Sequence, residues 1–136
     1  MPVWLGAPMA RILIVDDEVH VVGALRRLLR REGFSIEVAL NGQEAIEKLA
    51  TFEADVVISD FRMRGMNGLE LLGQVLRIAP RAARILISGH ADLSGGSESG
   101  VISHFISKPW DDDRLVADVR ALLGGQGQQG PATSGP

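Results

Sequence analysis

The feature that most constrains this chain is a regular alternation of short apolar runs with segments of helical periodicity. The runs of strand length are "RILIV" at 11–15, "FSIEVA" at 34–39, "ADVVIS" at 54–59, "ARILIS" at 83–88 and "HFIS" at 104–107. The first, third and fourth consist almost entirely of β-branched and aliphatic residues, which is typical of central parallel strands covered on both faces. The alternation predicts an α/β fold with an open, doubly wound parallel sheet. Five strands favour the flavodoxin-like order 2-1-3-4-5.

The segments between the runs carry apolar residues at helical spacing. The segment after the first run is predicted to bury one helical face, formed by Val19, Val22, Leu25 and Leu29. The next two helices are predicted to begin at Asn41 and Asn67, each followed three residues later by a glutamate. Between the fourth and fifth runs, "HADLSGGSESGVIS" contains three glycines. Because an interior glycine costs a helix roughly 1 kcal/mol, we expect a weakened fourth helix there.

Composition and charge limit the classes of protein that this chain can belong to. The net charge of −3 provides no overall attraction to nucleic acid or anionic membranes, and no apolar run approaches the length of a membrane span. The absence of cysteine excludes a disulfide framework and thiolate chemistry, which fits a reducing cytoplasm. We expect a cytoplasmic protein with an N-terminal extension at 1–10 and one domain at 11–123. A flexible Gly/Gln/Pro-rich tail or linker is expected at 124–136.

Charged and polar residues follow four of the runs, at the point where each strand is predicted to end. Asp16 and Asp17 follow the first run and Asp60 the third, while Ser88 closes the fourth and Lys108 follows the fifth. Because the carboxyl ends of parallel strands lie at one edge of a sheet, we expect these side chains to converge. Carboxylates there would bind a hard cation such as Mg²⁺. An aspartate in this position can attack phosphorus, and a lysine and a hydroxyl can hold the phosphoryl oxygens.

Each of these residues also has a purely structural interpretation. Asp16 and Asp17, taken alone, are equally well explained as caps of the first helix. Asp60 could open a turn, Ser88 before a glycine is a turn signal, and Lys108 before a proline is an ordinary loop residue. Only their coincidence at the ends of separate strands favours a functional site.

Four segments resemble the receiver domains of two-component response regulators. They are "ILIVDDE", "VVISDFRMRGMNGLELL", "ILISGHAD" and "FISKPWDDDRL", in the expected order within residues 11–123. The resemblance implies a doubly wound (βα)₅ domain that a partner histidine kinase phosphorylates on one aspartate. By position, Asp60 is the implied phosphoacceptor, and Asp16 and Asp17 are the implied acidic pair around Mg²⁺.

The resemblance also implies roles for residues outside the acidic group. Ser88 would be the switch hydroxyl, Lys108 the phosphate-binding lysine and Phe105 the switch aromatic. The backbone carbonyl of Arg62 would be a further ligand of Mg²⁺. The side chains of Arg62 and His90 would flank the water path to the acyl phosphate, so their bulk predicts slow self-hydrolysis. That both side chains merely point to solvent is an equally supported alternative.

The turn after the implied phosphoacceptor departs from the family pattern. The common "MPGMDG" reads "MRGMNG" here, with Arg64 in place of a proline and Asn67 in place of an aspartate. Asparagine still caps a helix well, although the loop beside Asp60 loses a rigid element. The family also implies a cis peptide bond at Lys108–Pro109. Within the family, the chain is similar to receivers fused to HD-GYP phosphodiesterases or of hydrogenase-type transcriptional regulators.

The sequence therefore predicts a phosphorylation-operated switch and not a metabolic enzyme. Its expected partners are a sensor histidine kinase or phosphotransfer protein and a downstream effector domain or protein, with a homodimer as a further possibility. Direct contact with nucleic acid or a membrane is not expected. A Mg²⁺-dependent hydrolase of the haloacid dehalogenase type would need a second aspartate where Arg62 stands. A receiver-like interaction module that works without phosphorylation remains an alternative, because the fourth helix is weak.

Overall fold

The computed structural model describes residues 9–89 and 100–128. Its elements are β1 (Arg11–Val15), α1 (Val19–Arg31), β2 (Ser35–Ala39), α2 (Gly42–Leu49), β3 (Val56–Asp60), α3 (Gly68–Ile78), β4 (Ala83–Ser88), β5 (His104–Ser107) and α4 (Asp112–Gln128). All strands pair in parallel in the order β2-β1-β3-β4-β5, which confirms the predicted fold class. Most of the segment predicted to form a weakened fourth helix lies outside the described residues, and residues 100–103 are not helical.

The strands are apolar throughout because the sheet is covered on both faces. Successive residues of a strand point to opposite faces, so Ile12 and Ile14 of β1 join one core cluster while Leu13 and Val15 join the other. The first cluster is closed by α1 and α4, and the second by α2 and α3. Each face therefore has its own layer of helices, as the uninterrupted apolar runs predicted. None of the described helices is long and apolar enough to cross a membrane.

The helices α2 and α3 begin at the predicted asparagines. The side chain of Asn41 accepts a hydrogen bond from the main-chain N–H of Glu44 at 2.8 Å. Asn67 and Glu70 form a reciprocal capping box, in which each side chain accepts a hydrogen bond from the main-chain N–H of the other residue. These bonds satisfy main-chain donors that the first turn of a helix leaves without an intrahelical partner.

The predicted buried face of α1 is wrong at one position. Val22, Leu25 and Leu29 are buried, together with Leu28, whereas 65% of Val19 is exposed. With 3.6 residues per turn, the buried residues centre on a line between Leu25 and Leu29, and Val19 lies more than a quarter turn away from it. Val19 is also the first residue of the helix, where no preceding turn covers it.

The helix α4 begins with acidic residues in its first turn and extends beyond residue 123. Asp111 accepts a hydrogen bond from the main-chain N–H of Arg114, and Trp110 packs at the helix start, with its indole N–H donating to Asp112 at 3.0 Å. The helix continues to Gln128, so the tail predicted from residue 124 is wrong for its first five residues. Glycine disfavours a helix without forbidding it, and an established helix extends at one hydrogen bond per residue.

The capping box of α3 leads to a stability prediction. Substituting Asn67→Ala removes the acceptor for the Glu70 N–H, and we expect the free energy of unfolding to fall by about 1 kcal/mol in urea denaturation. Asn67→Asp keeps an acceptor at the helix N-terminus and should leave that free energy nearly unchanged. Equal losses in the two variants would contradict a capping role for this side chain.

Candidate functional site

Two carboxylates are buried side by side at the carboxyl edge of the sheet. Asp16 follows β1 and Asp60 ends β3, and the paired register of Val15 with Ser59 places them on neighbouring strands. Asp16 is 1% exposed and Asp60 6%. Burial is the main reason that the pKa of Asp16 rises to about 6, and the charge of Asp60 adds to the rise. A hydrogen bond from Glu18 N and the charge of Lys108 act against it.

Lys108 supplies the positive charge at this edge. Its Nζ lies 2.6 Å from Asp60 Oδ1, and the peptide bond that follows it, to Pro109, is cis. Burial by itself would lower the pKa of Lys108, but the hydrogen bond to Asp60 and the nearby carboxylates raise the pKa above its ordinary value. The lysine is therefore a charged ammonium that directly neutralises the buried carboxylate at the end of β3.

Ser88 lies at the same edge, on the strand between those that carry Asp60 and Lys108. The end of β3 pairs with β4 one residue before Ser88, since Asp60 is in register with Ile87. Ser88 itself is buried, and its main-chain carbonyl accepts a hydrogen bond from the N–H of Lys108 at 3.0 Å. The predicted hydroxyl, carboxylate and ammonium residues are thus brought together by three adjacent strands.

Asp17 belongs to the same edge but faces a different partner. Its Oδ2 accepts a hydrogen bond from the main-chain N–H of Arg64 at 3.0 Å, in the loop between β3 and α3. Asp16 accepts from Glu18 N, and the N-cap residue of α1 makes no side-chain capping bond. The interpretation of Asp16 and Asp17 as caps of the first helix is therefore wrong.

The donor chemistry of this edge fits a hard cation, although the carboxylates do not form a closed cage. Nowhere in residues 9–89 and 100–128 do three or more His, Cys, Asp or Glu side chains converge closely enough to hold a metal ion. The carboxylates of Asp16 and Asp60 nevertheless lie together and repel each other. A cation bound between them would reduce this repulsion. The predicted ligand set, which adds Asp17 and the Arg62 carbonyl, stays a prediction.

The remaining predicted residues lie around this centre. Phe105 is half-buried on β5, in register with Leu86, and packs against the core cluster beneath α2 and α3. The side chain of Arg62 is exposed, which agrees with the alternative that it points to solvent. His90 lies outside the described residues. Slow self-hydrolysis and the switch role of Phe105 stay predictions.

Gly68 is a residue of the site that the sequence did not single out. It is the first residue of α3, and a Cβ there would collide with the main-chain carbonyl of Asp60 and approach Leu86 Cδ1 to 2.9 Å. Its N–H donates to the carbonyl of Phe61 at 2.9 Å. The start of α3 thus rests directly on the main chain of Asp60. The sequence offered one signal for this contact. Glycine disfavours a helix, so a glycine in the first turn of a predicted helix suggests that another constraint requires it there.

Fold and site together define a class: a flavodoxin-like α/β domain with carboxylates, a hydroxyl and an ammonium at the carboxyl edge of its sheet. The sequence model described as "Response regulator receiver domain" matches residues 12–120. The chain therefore belongs to the receiver domain family of response regulators, as the resemblance indicated. It is 38% identical over 125 residues to the hydrogenase transcriptional regulatory protein HoxA of Cupriavidus necator, covering 89% of this chain. The chain corresponds to 26% of the length of that regulator.

Solved structures of receiver domains have the same fold. A CheY-like receiver domain protein from Methanospirillum hungatei superposes with a TM-score of 0.86 at 27% identity, covering 90% of this chain and all of that one. The receiver domain of an HD domain-containing protein from Pseudomonas fluorescens superposes with a TM-score of 0.83 at 30% identity. That match covers 95% of this chain and 97% of the other. The response regulator TrrA of Thermotoga maritima, solved in complex with Mg²⁺–BeF, superposes with a TM-score of 0.77 at 33% identity. That match covers 84% of this chain and 99% of TrrA. The predicted likeness to HD-type and hydrogenase-type regulators is confirmed.

The raised pKa of Asp16 predicts a pH dependence of stability. The folded protein holds a proton on Asp16 up to about pH 6, whereas the unfolded chain releases it near the ordinary value of 3.8. The folded state therefore binds more protons between these values, and the contribution of Asp16 to stability decreases as pH rises through them. In chelator-containing buffer, we expect the free energy of unfolding of the wild type to decrease relative to Asp16→Asn from about pH 4 to pH 6. A constant difference would contradict the raised pKa.

The close approach of α3 to Asp60 predicts opposite effects of two substitutions in one helix. Gly68→Ala introduces a clash with main-chain atoms and should lower the free energy of unfolding by about 1–3 kcal/mol. Gly73→Ala is the matched control, because nothing lies within 4 Å of its added Cβ. There, alanine should stabilise the helix by up to about 1 kcal/mol. Urea denaturation of both variants measures the effect, and stabilisation by Gly68→Ala would contradict the described contact.

Proposed function

We propose that Asp60 accepts a phosphoryl group from the phosphohistidine of a sensor histidine kinase or a phosphotransfer protein. The single observation that best supports this is the contact of 2.6 Å between Lys108 Nζ and a buried Asp60 carboxylate. A buried lysine–aspartate pair by itself is also compatible with a structural role. Its position at the carboxyl edge of a receiver domain, beside Asp16 and Ser88, favours phosphoryl transfer.

The proposed reaction is a nucleophilic substitution at phosphorus. A carboxylate oxygen of Asp60 attacks the phosphorus atom, the new O–P bond forms, and the P–N bond to the donor histidine breaks. The bonding electron pair leaves with the imidazole nitrogen. Such a transfer depends mainly on positioning the reactants and on neutralising charge. In the proposed reaction Lys108 binds the phosphoryl oxygens, because its ammonium is charged and already contacts the Asp60 carboxylate.

Mg²⁺ is the proposed cofactor of this transfer. Asp16, Asp17, Asp60 and the backbone carbonyl of Arg62 would hold it, since all four offer the oxygen ligands that a hard cation prefers. When bound, the ion supplies positive charge that offsets the repulsion between the carboxylates and the incoming phosphoryl oxygens. The receiver TrrA was solved with Mg²⁺–BeF, and this supports the same cation for the present chain.

In the proposed switch, the conformational change spreads from the phosphoryl group on Asp60 through β4 to β5. Ser88 ends β4 one residue beyond the partner of Asp60, and this closeness supports the proposal that its hydroxyl binds a phosphoryl oxygen. Movement of the main chain after Ser88 would change the packing of Phe105, which lies beside Leu86 on the neighbouring strand. A local change in charge would thereby alter a surface that a downstream domain or protein, or a second copy of the chain, contacts.

The proposed role is that of a signalling switch in the cytoplasm and not of a metabolic enzyme. Receiver domains are generally signalling domains without an enzymatic activity of their own. A hydrolase of the haloacid dehalogenase type is disfavoured, since the residue two positions after Asp60 is the exposed Arg62 and not a second carboxylate. The kinase and the downstream partner belong to the proposal, because this chain corresponds to about a quarter of the length of HoxA.

Incubation with acetyl phosphate and Mg²⁺, followed by intact-mass analysis, tests the proposal. We expect the wild type to gain one phosphoryl group and Asp60→Asn to gain none, because the amide is a poor nucleophile. Asp113→Asn is the matched control: it removes the same charge from an exposed position on α4, and it should be phosphorylated like the wild type.

Two results would contradict the assignment. Labelling of Asp60→Asn to the extent seen in the wild type would place the phosphoryl group on another residue. A folded wild type that binds Mg²⁺ but gains no mass would favour the interaction module that works without phosphorylation.

A further inference from the structure

We infer that Arg64, through its main-chain N–H, holds Asp17 in an arrangement that does not converge with Asp16 and Asp60 on a common metal site, so that Asp17 must give up this hydrogen bond to join them around Mg²⁺. The inference rests on the proposed metal site. It is carried by the hydrogen bond of 3.0 Å from Arg64 N to Asp17 Oδ2, which joins two loops 47 residues apart in the chain.

The main-chain N–H, and not the guanidinium, is the stronger of the two contacts that Arg64 makes with Asp17. The Arg64 Nε lies 3.8 Å from Asp17 Oδ2, and 92% of the Arg64 side chain is exposed. Exposed ion pairs of this length contribute little, because water and salt screen them. The hydrogen bond from the main-chain N–H is also exposed, but at 3.0 Å it is shorter, and its donor is fixed in the backbone and not carried on a long flexible side chain.

The identity of residue 64 decides whether this hydrogen bond exists. Proline has no main-chain N–H, so a turn with proline at position 64 could not make the bond, whereas any other residue could. Arginine in place of the common proline therefore gives the chain a donor for Asp17. This gain is separate from the loss of rigidity that the same replacement causes in the loop.

The loop that carries Arg64 is anchored in the core by the buried Met63, and the next two residues are open to solvent. Arg64 and Gly65 are both exposed, and Gly65 has a positive φ of 77°, a conformation that glycine adopts without strain. A cleft of about 500 Å³ lies beside the contact, lined by Asp17, Arg64 and Met66 and by residues 40–43.

Thermodynamic linkage gives the consequence for the metal site. If the hydrogen bond to Arg64 and the bond to Mg²⁺ compete for Asp17, each weakens the other by the same factor. The arrangement in which Asp17 bonds to Arg64, with no three carboxylates converging within residues 9–89 and 100–128, then corresponds to the hydrogen-bonded end of this equilibrium. Arg64 acts as a positioning residue that sets the affinity for Mg²⁺.

Titration calorimetry of Mg²⁺ binding to the unphosphorylated full chain tests the inference with three variants. Arg64→Pro removes the N–H and the guanidinium, and we expect Mg²⁺ to bind about tenfold more tightly. Arg64→Gln keeps the N–H and should change the dissociation constant by less than about threefold. Arg77→Gln removes an exposed arginine from the last turn of α3 and should match the wild type.

Amide hydrogen exchange provides a readout that does not depend on the folding of Arg64→Pro. In the metal-free wild type the Arg64 amide should be protected, and saturating Mg²⁺ should reduce that protection. An unprotected Arg64 amide, protection unaffected by Mg²⁺, or equal dissociation constants for folded Arg64→Pro and Arg64→Gln would each overturn the competition while leaving the proposed function intact. A wild type that binds no Mg²⁺ would overturn the proposed metal site and the competition together.

Discussion

The ion pair between Lys108 and Asp60 allows this receiver to bury two neighbouring carboxylates at one edge of its sheet. Burying an unpaired charge is costly, and Asp16 shows that cost directly in its raised pKa. Asp60 is in direct contact with the ammonium of Lys108, while within the described residues Asp16 is compensated by the more distant charge of Lys108 and by one main-chain hydrogen bond. The carboxylates at this edge are therefore unequally compensated, with Asp60 paired directly and Asp16 offset less completely.

The elements that hold the fold together also position this pair. The sheet brings β3, β4 and β5 side by side, so that residues at three strand ends become neighbours. The main chain around Asp60 is then held from two sides, because Phe61 N–H donates to Ile87 and Gly68 packs on the Asp60 carbonyl. Stability and function share these contacts. A substitution that disturbs the start of α3 would consequently displace the main chain of Asp60 without contacting its side chain.

Much of the fold could be predicted from the sequence because its signals are local. Apolar runs of strand length located all five strands, and the asparagine caps marked the starts of α2 and α3 to within one residue. The errors arose where local preference is a weak guide. Val19 has helical spacing to Val22 but lies off the buried line, and the glycines after residue 123 do not stop α4 because an existing helix propagates through them.

By itself, the sequence determined which chemical groups stand at the ends of the strands, since strand ends follow from local apolar pattern and parallel strands end at one edge. The bond of Asp16 with the Glu18 N–H, two residues along the chain, is local. Only the tertiary structure decided the other partners: Lys108 for Asp60 and Arg64 for Asp17. Those pairings join residues up to 48 positions apart, 108 − 60, through loops whose separation depends on how every helix packs on the sheet. No local pattern encodes such distances, and the contact of Gly68 with Asp60 was missed for the same reason.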